Sequence, residues 1–168
     1  MSKAVLISIN KPHTDNIFSY DKNLEWRKKP LPEGLCYVYE TKNKGGCGMV
    51  IGEMRIVGSV AVDTGRPLPV GLVNAGCVHP TALKEYANNG TVYANLIQDA
   101  RRYDKPKPLS VFYKVCAGLD NTGMCWDCEK ANGEECDCVV NGRLYLTRPP
   151  QSWCHVEKLE DGKRKTAD

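Results

Sequence analysis

The chain has 168 residues, 42% apolar and 26% charged, with a net charge of +3. That length suits one domain that buries its own core, and the composition excludes a fibrous or wholly disordered chain. No apolar run approaches the length of a membrane span, and the charge is too small to require a polyanionic partner, although it leaves nucleic-acid binding open.

Ala4 to Ile9 is short and branched, as a buried strand is, but Asn10-Lys11-Pro12 interrupts it and no small-residue cleavage site follows, so it does not read as a secretion signal. A cytoplasmic, reducing location is therefore expected. Asn10 and Pro12 mark the start of a short helix ending near Tyr20. From Asn23 to Lys28 the residues alternate, Leu24 and Trp26 on one face and Glu25 and Arg27 side by side on the other. Pro30 and Pro32 break the chain before a second alternating strand, Leu35 to Glu40, with Leu35, Tyr37 and Tyr39 on one face. Thr41 to Gly48 is a glycine-rich turn, and Met49 to Val62 a long strand bent at Gly52 and Gly58. Pro69 to Gly76 reads as loop, and Pro80 to Asn88 as a second helix ended by Gly90. Thr91 to Ile97, Leu109 to Val115, Arg143 to Leu146 and Trp153 to Leu159 complete the strands, with Trp153 in the core. The fold class expected is α+β, mainly β: a small curved barrel with two short helices.

Nine cysteines in a reducing compartment are better metal ligands or buried thiols than disulfide partners. Cys125, Cys128, Cys136 and Cys138 fall within fourteen residues of Gly-, Asn-, Asp- and Glu-rich chain, which cannot fold by apolar burial. Four thiolates on one tetrahedral zinc would supply the missing local stability. Cys116 or Cys154, the latter beside His155, could replace one ligand. A structural zinc is expected, with a redox CxxC pair or unrelated free thiols as the alternatives. His155-Val-Glu157 has the HxE spacing of zinc deaminases, but there HxE precedes a PCxxC; the order here is reversed and the proline missing, which excludes that chemistry.

Lys22 at a turn, followed by the carboxylate of Glu25 and the guanidinium of Arg27 on one strand face, can take an anionic or hydrogen-bonding ligand. The alternative is an ion pair on a solvated face. Tyr20-Asp-Lys22-Asn-Leu-Glu25-Trp-Arg27 resembles the G-x-K-x-x-E-x-R signature of the ASCH domain, a PUA-like family, with Tyr20 in place of the glycine. The resemblance extends to Leu6-Ile-Ser-Ile-Asn-Lys-Pro12, Ile51-Gly-Glu53, Tyr103-Asp-Lys-Pro-Lys-Pro-Leu109 and Arg148-Pro-Pro-Gln-Ser-Trp-Cys154, and is greatest to ASCH proteins of phages and prophages with a cysteine-bearing insert.

The resemblance implies an ASCH/PUA-like domain over 1–160, interrupted by a cysteine-rich insertion over 116–142, with a disordered tail over 161–168. It implies a small β-barrel and a cleft lined by Lys22, Glu25 and Arg27. The function expected is a binding module for RNA or a nucleotide-like ligand, with zinc stiffening the insertion. One alternative is a hydrolase with Lys22 and Glu25 as catalytic residues, either a ribonuclease or an amidohydrolase on a modified nucleoside such as N4-acetylcytidine. Amidohydrolase relatives use a lysine with a nearby threonine and glutamate; the threonine corresponds to Glu25 here, and Arg27 beside it would keep that carboxylate ionised, both of which argue against that activity. A third reading is a phage accessory protein that binds a host protein. Tyr37, Tyr39 and Tyr93 read more readily as core or barrel surface than as base-stacking platforms, His13 and His79 as capping or exposed residues, and Cys77 as outside any metal cluster.

Overall fold

The computed structural model describes residues 3–115 and 144–159. Eight strands form one sheet in the order β2-β5-β4-β3-β1-β8-β6-β7. At its centre lies β1 (Lys3–Ile9), whose residues are buried on both faces. Val5, Ile7 and Ile9 join one core cluster with Val38, Met54 and Ile56, while Ala4 and Leu6 join a second with Tyr37, Phe112 and Val156. An unbroken apolar run is what a central strand covered on two sides requires. β3 (Gly34–Glu40) lies parallel to β1, the one parallel pair among the described ladders; β8 (Trp153–Glu157) lies antiparallel on the other side.

The parallel pairing forces the chain to leave the sheet between β1 and β3 and return. That crossover carries α1 (His13–Phe18), packed inward through Thr14 and Ile17, and the four-residue β2 (Leu24–Arg27). β2 pairs with β5 (Thr91–Lys107), placing Leu24 and Trp26 in a third cluster with Val62, Leu83, Val92 and Ala94. β4 (Met49–Asp63) lies between β3 and β5, and its ladder to β5 has three register shifts, two of them adjoining Gly52 and Gly58 as expected. A Cβ on Gly52 would lie 2.5 Å from the Phe18 ring and from the Arg101 carbonyl, so the missing side chain is what lets α1 rest on β4.

Several expectations need correction. The sheet is not closed into a barrel: β2 and β7 (Leu144–Tyr145) are its ends and do not pair with each other. β2 is paired on one edge with β5 and β7 on one edge with β6, and among the described residues their other edges do not meet. Three α-helices are described, not two, because Val70–Ala75 inside the expected loop forms α2, ahead of α3 (Pro80–Ala87). A six-residue helix is too short to show a period, but Leu72 and Ala75 pack against Trp26 and its neighbours and Val73 is buried. β5 runs ten residues beyond Ile97, and Pro106 is tolerated because the β4 ladder is already interrupted between Arg102 and Lys107. Leu109–Val111 is a 3₁₀ turn, which leaves β6 as Tyr113–Lys114. The expected insertion and tail lie outside the described residues.

Asn95 on β5 is fully buried. Its amide donates to the Glu25 carbonyl at 2.8 Å and the Tyr93 carbonyl at 3.1 Å. Its side-chain oxygen accepts from Leu31 N–H at 2.7 Å and Ser59 Oγ–H at 2.6 Å. One side chain thus holds the end strand β2, the loop after it and β4 to β5. Truncating it orphans several buried partners, so Asn95→Ala is expected to cost about 3 kcal/mol in urea unfolding, and a loss near zero would remove Asn95 as the tie.

Candidate functional site

The turn after α1 positions Lys22. Tyr20 has φ of 65°, the left-handed conformation that glycine adopts without steric cost, and it stands where the signature has its glycine. Its hydroxyl donates to the Ala100 carbonyl at 2.8 Å, which anchors the turn to β5. Lys22 N–H then donates to the Asn16 carbonyl at 2.9 Å. The Lys22 side chain, only 2% exposed, runs inward, and its Nζ donates to the Gly76 carbonyl at 2.5 Å and lies 3.5 Å from Glu25 Oε2.

Glu25 receives a second cation on its other oxygen, Arg27 Nη2 at 2.9 Å. Arg27 Nη2 also donates to the Ser8 carbonyl on β1 at 2.8 Å, and Nη1 to Ser152 Oγ at 3.2 Å. Arg27 therefore spans the gap between the end strand β2 and the segment leading into β8, a gap no backbone ladder closes. Ser8 is tied to that segment by Oγ–H donation to the Pro150 carbonyl at 2.6 Å and N–H donation to the Ser152 carbonyl at 3.0 Å.

Over this seam opens a cleft of about 960 Å³. Lys22, Glu25 and Arg27 lie in it together, with His13, Tyr39 and Lys42 among the other lining residues. Ser8, Ile9 and Asn10 from the first resemblance segment, and Pro149, Pro150 and Gln151 from the last, form adjoining parts of the wall. Two cations against one carboxylate leave the floor net positive, and Lys42 adds to it. On the α3 side Tyr86 is 43% exposed, with Lys28 Nζ 5.3 Å from its ring centroid. Base-stacking on such a ring-and-cation pair is physically open.

The sequence reading missed His13, Lys42 and Tyr86. Its place beside Pro12 suggests a cap or an exposed position for His13, yet it is half-buried and faces the cleft. Nothing in a local pattern marks a histidine whose neighbours come from distant segments. His79 does cap α3, its Nδ1 accepting from Thr81 N–H at 3.3 Å. Tyr37 and Tyr39 are core residues. Cys77 donates Sγ–H to the Asp21 carbonyl.

Cys116, Cys125, Cys128, Cys136 and Cys138 lie outside the described residues. Cys154 is half-buried on β8 against an apolar cluster, and burial pushes its thiol above the ordinary range. Among the described residues no three histidine, cysteine, aspartate or glutamate side chains gather as a metal site, and no helix is long and apolar enough to cross a membrane.

The Glu25 carboxylate is the counter-charge that lets two cations approach one another out of water. Removing it leaves both without compensation, so Glu25→Ala is expected to lower unfolding free energy by about 3 kcal/mol. A change below about 0.5 kcal/mol would instead class the triple as a weak surface pair.

No family model matches the chain, and no curated protein matches it. Solved structures do. A serine-to-alanine variant of ZmASCH, the ASCH protein of Zymomonas mobilis, superposes with a TM-score of 0.60 at 17% identity, covering 92% of this chain and 89% of that one. A tyrosine-to-phenylalanine variant of the same protein gives 0.52 at 21% identity over 64% of this chain and 77% of that one. ZmASCH itself gives 0.52 at 21% over 63% and 73%. At these identities the likeness is one of architecture: this chain has the ASCH fold.

Proposed function

We propose that the chain is an ASCH-fold binding module that takes single-stranded RNA or a nucleotide-like ligand in the cleft over Lys22, Glu25 and Arg27. The observation that carries the proposal is the triple itself, a carboxylate bridging two cations at the base of an open cavity. A purely structural ion pair would serve as well under packed side chains. Here a cleft with room for a nucleotide lies above it, walled by Asn10, Thr41 and Lys42. An excess of positive charge at low solvent exposure draws a phosphate-bearing ligand, and hydroxyl and amide groups on the wall can orient it. Likeness to the ASCH structures adds support at the level of fold.

The hydrolytic reading draws less from the geometry. Lys22 is engaged by the Gly76 carbonyl and Glu25, and both oxygens of Glu25 face cations. Neither group stands free to carry a proton to or from a substrate.

Binding of a fluorescently labelled single-stranded RNA and of a nucleoside monophosphate tests the proposal. Relative to the wild type, Lys22→Ala combined with Arg27→Ala is expected to weaken both about tenfold or more and to flatten the salt dependence. Unchanged affinity and unchanged salt slope in a variant that keeps its circular dichroism spectrum would sink it.

We also assign a structural zinc to Cys125, Cys128, Cys136 and Cys138, from their spacing and the polar chain between them. Native mass spectrometry before and after chelation is expected to show the loss of one zinc ion. An identical mass in both spectra would remove the metal.

A further inference from the structure

His13 is the one cleft residue whose two ring nitrogens have sharply different surroundings. Its Nδ1 is sealed from solvent and has no hydrogen-bond partner. Its Nε2 is not among the sealed atoms and is engaged by no group of the described residues. The ring lines the same cavity as Lys22, Glu25 and Arg27.

We propose that His13 is a ligand-contacting residue of the cleft, presenting an Nε2–H donor to a phosphoryl oxygen of a bound nucleotide. This rests on the nucleotide-binding reading of the cleft. A neutral imidazole carries one proton on either nitrogen. Placing it on Nδ1 would bury a donor with nothing to receive it, whereas placing it on Nε2 leaves that donor facing the open cavity. The sealed side therefore selects the tautomer, and the tautomer aims the donor.

The charges around the ring agree with a neutral imidazole. Burial, first, and then the Lys22 ammonium lower its proton affinity; Lys44 and Arg27 act in the same sense, and Glu25 opposes them. A group held uncharged at neutral pH donates a hydrogen bond without adding to the positive field, so it supplies direction where Lys22, Arg27 and Lys42 supply attraction. The preference for a phosphoryl oxygen over a base carbonyl follows from that surrounding excess of cations.

Glutamine and asparagine separate the two nitrogens, because the glutamine amide reaches about as far as Nε2 and the asparagine amide about as far as Nδ1. Calorimetric titration with uridine 5′-monophosphate at pH 7 is expected to show about tenfold weaker binding for His13→Ala and His13→Asn, and near wild-type binding for His13→Gln. Uridine, which lacks the phosphate, is expected to bind all four proteins alike. In the free protein, nitrogen NMR of the ring is expected to show the Nε2–H form. An Nδ1–H ring, wild-type affinity in His13→Ala, or equal losses for uridine and its monophosphate would each overturn the inference while leaving the nucleotide-binding reading standing. Wild-type protein that binds neither the monophosphate nor RNA overturns that reading, and this inference with it.

Discussion

The carboxylate of Glu25 holds the structure around the cleft together. It gathers Lys22 from the turn after α1 and Arg27 from the far end of β2, and through them it reaches the Gly76 carbonyl after α2 and the Ser8 carbonyl on β1. Four separate chain segments are fixed by one anion. In water such contacts are worth little, because solvent screens them and long side chains lose freedom in making them. Here the participating side chains are between 2% and 13% exposed, so the interaction is stronger and the penalty for leaving any member unpaired rises with it.

Much of the fold was legible because its strands obey simple rules. The central strand β1 declares itself by an uninterrupted apolar run, and β2 and β3 by alternation, each giving bounds within a residue or two of those observed. Closure of the sheet was not legible, because it depends on which strands, far apart in sequence, come to lie at the two ends. The extension of β5 past Ile97 was hidden by charged residues and Pro106, whose tolerance comes from an interruption on the neighbouring strand. α2 went unseen since its burial depends on Trp26, nearly fifty residues away in sequence.

The candidate site divides in the same way. Lys22, Glu25 and Arg27 lie within six residues, so their chemistry could be read together. The substitution of Tyr20 for the signature glycine looked like a departure, yet the backbone there keeps the left-handed turn and the tyrosine hydroxyl ties it to Ala100. His13, Lys42 and Tyr86 come from three other segments, and Asn95, which holds β2 in place, lies on a fourth. Such residues acquire meaning only through the topology that collects them. The cysteine cluster is legible for the opposite reason, as a local concentration of thiols whose purpose is argued from composition.

The parallel pairing of β1 with β3 has a consequence in time as well as in space. Because the chain must detour between these strands, β2 cannot find its ladder until β5 exists, and Leu24 waits for Leu96. Closing so long a loop before any contact rewards it is slow, and the contact order of the crossover is high. During synthesis, the residues of the cleft floor emerge early but stay without their supporting strand until more than half of the chain has been made. The cleft is thus a late product of folding, and its integrity reports on whether the whole sheet has assembled.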